Sequence, residues 1–326
     1  MRHLKDQFLK EFFKGGQFYE IIKMVKTDPS LDVELRGNSV MIYYRGGKLL
    51  TINDPYKNDQ EDLLKELDKQ YVSPTRKGLI NPIAVPKPTI DNMEAYICKG
   101  KRAIDWYEEN VARKLGEKEI QQRVAYENNF SVNAEDTDFF IADIEWEDRN
   151  YGGRADIIAF KWFRSGNRRK NMVKMFMIEV KQGEHSLTGS AGLAKHMTDF
   201  EAFVSDKSVV SKVKKDMIQV LYQKYQLGLI KGLNHLFEKE ELPIVEEECD
   251  FVYLLANYHL YSTKLNSVLE EEMKSITTCK FITSCLMGYG LYNDMIISKE
   301  DVLKKYPLAR KSLIPQHYNL TLFISS

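Results

Sequence analysis

Two neighbouring stretches decide how this chain reads: Arg154–Trp162, RADIIAFKW, and Met172–Lys181, MVKMFMIEVK. Each is an apolar run of strand length, so each predicts a buried β-strand. Each is also interrupted by charge. Asp156 breaks the first, and Glu179 and Lys181 break the end of the second. Side chains two apart on a strand share a face roughly 6–7 Å apart, so Glu179 and Lys181 point the same way. With the two strands as neighbours, Asp156 approaches Glu179 from the adjacent one. Two carboxylates and one ammonium then converge at the end of a buried sheet.

Such a grouping is costly without a purpose. Two close carboxylates repel, and one takes up a proton unless a cation neutralises them. A hard divalent ion does so, and Mg²⁺ prefers one or two carboxylates plus waters and substrate phosphates. The ammonium then acts beside the water that attacks phosphorus, which makes the chemistry phosphodiester hydrolysis. Plainer readings exist: a strand-end carboxylate bonding a backbone amide for Asp156, and a cross-strand ion pair on a solvated face for Glu179 with Lys181. Neither explains why all three interrupt otherwise apolar strands.

Upstream, Asp138 to Glu147 reads DFFIADIEWE. It predicts a strand with Ala142, Ile144 and Trp146 on one face and Asp143, Glu145 and Glu147 on a wet face. A helical pattern precedes it from Asp91 to about Glu127, with a break at Gly116. Downstream come a helical region over 190–230, a fourth strand at Phe251–Leu255, a polar helix over 263–274 and a fifth strand over 281–291. His196 and Asp199, one turn apart, read as a helix-surface pair. Residues 1–30 carry helical stripes (Leu4, Phe8, Phe12, then Phe18, Ile21, Ile22, Val25). Residues 33–52 then change period, and the turns at Gly37-Asn38 and Gly46-Gly47 predict a three-stranded antiparallel meander. Pro82, Pro86 and Pro88 mark a linker. The expected division is 1–90, an N-terminal helix and β-meander module, and 91–326, an α/β domain with a C-terminal strand extension.

The 326 residues are 43% hydrophobic and 29% charged, a globular composition that excludes a disordered chain. Basic and acidic residues balance at 47 each, so nucleic-acid binding has to rest on local charge. Local charge is present. Lys161, Arg164, Arg168, Arg169, Lys170 and Lys174 occur without an intervening acid, around a hairpin tip at Ser165-Gly166-Asn167. That hairpin suits sequence-independent contact with a phosphate backbone, a solvated charged hairpin being the plain alternative. Lys207, Lys212, Lys214 and Lys215 form a second cluster. No apolar window is long enough for a membrane span, and the charged N-terminus does not read as a secretory signal. The cysteines, Cys98, Cys249, Cys279 and Cys285, are too scattered for a disulfide framework or a zinc knuckle. A cytoplasmic, reduced protein is expected.

Gly153-Arg154-Ala155-Asp156 followed by Ile178-Glu179-Val180-Lys181, in α-β-β-β-α-β order, resembles the PD-(D/E)xK nucleases over about residues 92–260. Ala155 stands where the motif's name has proline. The resemblance implies a restriction-endonuclease-like fold with a mixed central sheet and a nuclease acting on DNA, in defence, repair or mobile-element processing. It implies Asp156 and Glu179 as ligands of Mg²⁺ or Mn²⁺, and Lys181 acting on the attacking water. Many members add a Glu from the preceding helix, for which Glu117 and Glu119 are the candidates. With Ile120 and Val124 facing inward, Glu117 lies beside that stripe and Glu119 well away, so Glu117 is preferred. Arg164, Arg168, Arg169 and Lys170 are the expected nucleic-acid contacts. RNA is not separated from DNA by these residues. A homodimer and a protein partner for the N-terminal module are compatible, and a non-catalytic nucleic-acid or protein-binding module of the same fold is the alternative.

Overall fold

The computed structural model describes residues 1–57, 62–73, 78–112, 116–148, 153–162, 171–238, 241–258, 263–284 and 288–305. Two short helices, α1 (Asp6–Lys10) and α2 (Tyr19–Thr27), lead into an antiparallel sheet of β1 (Leu31–Leu35), β2 (Ser39–Tyr44), β3 (Gly47–Asn53) and β4 (Leu64–Lys65), in that order. The expected meander is present, with one more strand. The two residues of β4 pair with Thr51 and Ile52, a run too short to leave a period in the sequence. Gly37 and Gly46 take positive φ at the two turns, a conformation in which a side chain is strained.

The expected helix from Asp91 is divided. Helix α3 (Met93–Tyr107) ends in one π-helical turn over Glu108–Ala112, and α4 (Glu117–Asn129) starts at Gly116. A six-stranded mixed sheet follows. It contains β5 (Phe139–Asp148), β6 (Gly153–Lys161), β7 (Met172–Gln182), β8 (Ile244–Ala256), β9 (Lys280–Ser284) and β10 (Ile297–Ser298), in the spatial order β10-β9-β8-β7-β6-β5. β5, β6 and β7 are antiparallel neighbours, β7–β8 and β8–β9 are parallel, and β10 is antiparallel to β9. The parallel step from β7 to β8 requires a crossover, supplied by α5 (Leu193–Ser205) and α6 (Lys207–Gln226). These are two helices because Asp206 caps α6, its side chain accepting from Ser208 N–H at 3.0 Å and Val209 N–H at 3.2 Å. Helices α7 (Thr263–Glu271) and α8 (Lys299–Lys305) flank the C-terminal edge.

Three strand expectations are corrected. β8 begins seven residues before Phe251, because Ile244 and Val245 already pair with Met172 and Val173 of β7. A register shift passes over Glu246–Glu248, and pairing resumes at Cys249 and Asp250, with Lys174 lying 3.2 Å from Glu248 and 3.3 Å from Asp250. β9 ends at Ser284. The face assignment on β5 fails because a register shift between Ile141 and Asp143 breaks the alternation. Ala142 and Trp146 join one core while Ile144 joins the other. Asp143 is fully buried and not on a wet face, because Arg36 of the N-terminal module donates to its carboxylate and, at 2.7 Å, to the Ile144 carbonyl.

The sheet is covered on both faces. Ile120, Val124 and Ala125 of α4 pack on Ile157, Ile178, Val180 and Leu254. On the opposite face, Leu193, Met197, Phe203, Val213 and Met217 of α5 and α6 pack against Phe160, Met177 and Phe251. This second core is continuous with Phe8, Ile21, Leu35 and Ile42 of the N-terminal module. Polar contacts cross the same boundary. Gln223 both accepts from Leu4 N–H and donates to Leu4 C=O, each at 2.8 Å, and Lys224 pairs with Glu34 at 2.8 Å, both buried. Among the described residues, no helix is long and apolar enough to cross a membrane.

Candidate active site

The site lies where β6 and β7 part. Their backbone pairing reaches Ile157↔Ile178 and goes no further, although β6 starts at Gly153 and β7 runs on to Gln182. Asp156 occupies the opening. Its Oδ2 accepts from Val180 N–H at 2.8 Å, so a side-chain carboxylate takes the place of a ladder carbonyl. The backbone-amide reading of Asp156 is thus realised, but inside the protein and beside two further charged groups. This end of the sheet also carries the carboxyl ends of the parallel strands β7 and β8, the usual position for ligands in α/β sheets.

Glu179 and Lys181 share a face of β7, as their spacing requires, and Lys181 Nζ donates to Glu179 Oε1 at 2.8 Å. The pair is not on a solvated face: both residues are 2% exposed. His196, from the first turn of α5, brings Nε2 to 3.0 Å from the same Oε1. The two partners hold one carboxylate oxygen and leave Glu179 Oε2 buried without a hydrogen bond. A buried, unpartnered carboxylate oxygen is expensive, and it is the kind of atom a ligand completes.

Electrostatics follow from this crowding. Burial, and then the charge of Glu179, push Asp156 up to about 8. Burial raises the Glu179 carboxyl, while Lys181 opposes the shift. Glu117 at the start of α4 is pushed up to about 7, first by burial and then by Asp156. Burial, with Lys181 and Arg154 adding to it, lowers His196 to about 4. His196 is therefore neutral near pH 7 and contacts Glu179 through an Nε2–H donor. Ionised together, the three carboxyls would carry more negative charge than Lys181 balances, so without a further cation they hold protons instead.

The structure brings Asp156, Glu179 and Lys181 together, and the charges of Asp156 and Lys181 are felt at the half-buried Glu117. Glu119 is buried, contrary to the helical-stripe expectation, but it is engaged away from the site, 2.7 Å from Arg123 and 3.5 Å from Arg45. Arg164, Arg168, Arg169 and Lys170 lie outside the described residues. His196 is corrected from a surface pair, because Asp199 bonds Lys195 and the imidazole turns inward to Glu179. Leu193, His196, Met197, Phe200 and Phe203 follow a three-four spacing that places the histidine on the inward stripe of α5. Gly153 also has a packing role. A Cβ there would stand 2.7 Å from the Trp146 ring and 3.1 Å from Phe203, so only glycine lets the indole close over the start of β6.

The donor set suits a hard divalent ion: carboxyl oxygens only, one of them buried and unpartnered, whose raised proton affinity a divalent cation would relieve. Among the described residues no three His, Cys, Asp or Glu side chains are drawn together at metal-holding spacing. The fit is therefore to the two-carboxylate pattern of Asp156 and Glu179, completed by waters and phosphate oxygens. Comparison with protein-family models, with curated proteins and with solved structures gives no match.

Proposed function

We propose that this chain is a metal-dependent nuclease of restriction-endonuclease-like fold that hydrolyses phosphodiester bonds of DNA. The element order supports the fold: α4, the antiparallel β5-β6-β7, the crossover helices and parallel β8. The observation that carries the activity is the buried Glu179–Lys181 pair facing Asp156 where β6 and β7 separate. A lysine and two carboxylates taken out of water at a strand end are unfavourable for stability alone. They are favourable where charge develops on phosphorus and its oxygens.

Mg²⁺ or Mn²⁺ held by Asp156 and Glu179, with Glu117 at hand, would supply Lewis-acid charge to a phosphoryl oxygen. The chain's own groups do the rest. Lys181 is fixed by Glu179 Oε1, which places the ammonium charge beside an attacking water and the developing negative charge. His196 bonds the same oxygen and holds the Glu179 carboxylate in one rotamer, with Oε2 left for the ligand. Asp156 is fixed by Val180 N–H. Burial beneath α5 excludes bulk water and strengthens each of these interactions.

The test is cleavage of circular and linear, double- and single-stranded DNA with Mg²⁺ or Mn²⁺, with RNA as a parallel substrate, comparing wild type with Glu179→Ala. Metal-dependent DNA cutting that the variant lacks is expected. Salt-sensitive DNA binding without cutting under any metal would replace this reading with the non-catalytic binding module.

A further inference from the structure

The motif Gly153-Arg154-Ala155-Asp156 contains one residue that the proposed chemistry does not yet use. Arg154 lies two positions before Asp156 on β6, in register with Glu147 on β5, at the end where β6 and β7 part. It is exposed while every other residue of β6 is buried. No ion pair joins it to Glu147 or to any other carboxylate among the described residues. Its two-residue spacing puts it on the strand face of Asp156, beyond the last β6–β7 pair and in reach of solvent, and its charge is felt at Glu117, Glu179 and His196.

This is an unusual arrangement for a structural arginine. Beside three carboxyls, a guanidinium gains most by bonding one of them, as Arg36 does with Asp143 and Arg123 with Glu119 elsewhere in the chain. Arg154 is held near them by the strand but turned outward, with its donors facing solvent. A phosphate entering the site meets carboxylates from below and a lysine already engaged by Glu179. It needs a cation on the solvent side. A guanidinium offers a planar fork of donors that matches two phosphate oxygens at once, which an ammonium cannot do.

We infer that Arg154 is a substrate-contact residue that grips the non-bridging oxygens of the scissile phosphate from the solvent side, opposite Asp156 and Glu179. The inference rests on the nuclease reading for its reaction, but its contact is measurable without cleavage. The experiment compares wild type, Arg154→Ala and Arg154→Lys in the full chain. Binding of a fluorescent duplex oligonucleotide is measured in Ca²⁺ over a salt series, and cleavage of the same duplex in Mg²⁺. Loss of one phosphate contact should lower the slope of log Kd against log salt by about one. It should also lower kcat by about 10²–10³-fold, as removal of one preorganised donor to a developing anion does. Arg154→Lys should keep the salt slope and recover only part of the rate. Because the side chain is exposed, all three proteins should unfold together.

An unchanged salt slope in Arg154→Ala overturns the inference whatever the cleavage result. A lowered slope with cleavage equal to an active wild type also overturns it, because the arginine would then hold a phosphate away from the reacting one. A lowered slope in a protein whose wild type never cuts supports the contact and sinks the nuclease reading instead.

Discussion

Asp156 Oδ2 accepts a hydrogen bond from Val180 N–H at 2.8 Å, one residue beyond the point where the β6–β7 ladder ends. One side chain thus both closes the sheet and charges the site, and substitution can separate the two roles. Asp156→Asn keeps an acceptor for Val180 N–H and removes the ionisable group, so near neutral pH it should unfold no more readily than metal-free wild type, and it should lose cleavage. Asp156→Ala leaves a buried N–H unpaired and should cost about 1–3 kcal/mol as well as activity. Urea unfolding beside plasmid cleavage checks both. An active Asp156→Asn protein would remove Asp156 from the chemistry.

Lys181 is buried against Glu179, so its replacement should preserve shape while removing the charge. Lys181→Met is expected to retain Mn²⁺ binding by calorimetry, because the carboxylates remain, and to lose at least about 10²-fold in cleavage rate. Unchanged cleavage by this variant would end the role assigned to the lysine.

How much of this site was legible in the sequence depends on what each signal rests on. The pairing of Glu179 with Lys181 follows from the two-residue strand period, a local rule, whereas the helical period sets Glu119 away from the inward stripe and the structure buries it beside Arg45 and Arg123. The neighbouring of β6 and β7 follows from their closeness in the chain. Asp143 was misread because its partner Arg36 lies 107 residues away in the N-terminal module, and no periodicity reports such a contact. Its strand also carries a bulge that shifts the alternation by one. Glu246–Asp250 hid the start of β8 because acids depress strand character, while Lys174 and Lys280 from two neighbouring strands pair with Asp250 and Lys214 of α6 donates to the Glu246 backbone carbonyl. His196 was within reach of the helical stripe, but its pairing with Glu179 needs the crossover geometry.

The raised carboxyls give the metal-free protein a defined pH dependence. Asp156 titrates near 8 and Glu117 near 7 when folded, against about 3.9 and 4.3 in an unfolded chain. Between those values the folded state holds more protons, so the stability contributed by these groups is complete below about pH 4 and is lost as pH rises through 7 to 8. The metal-free melting temperature should therefore fall from pH 6 to pH 9, and Asp156→Asn should flatten that fall. Mg²⁺ should raise Tm more at pH 8 than at pH 6, because the ion binds the ionised carboxylates. A metal-free Tm that rises over this range would contradict the electrostatic account of the site.

The last prediction concerns what holds the N-terminal module in place. Glu34 on β1 and Lys224 on α6 form an ion pair at 2.8 Å with both side chains out of water. Arg36 lies 3.4 Å from the same Glu34 and also bonds Asp143, which links the meander to β5. Burial raises the Glu34 carboxyl and Lys224 opposes that shift, so the pair is mutually dependent. Removing one partner of such a pair strands a charge and typically costs about 3–5 kcal/mol, whereas replacing both with apolar groups is near neutral. Lys224→Met should fall at the lower end of that range, because Arg36 remains beside Glu34. Glu34→Leu combined with Lys224→Met should recover most of the loss. A double-mutant cycle by urea unfolding measures the coupling, with proteolysis reporting release of residues 1–57. Additive losses would show that the two charges act independently, and the continuous apolar core would then hold the module without them.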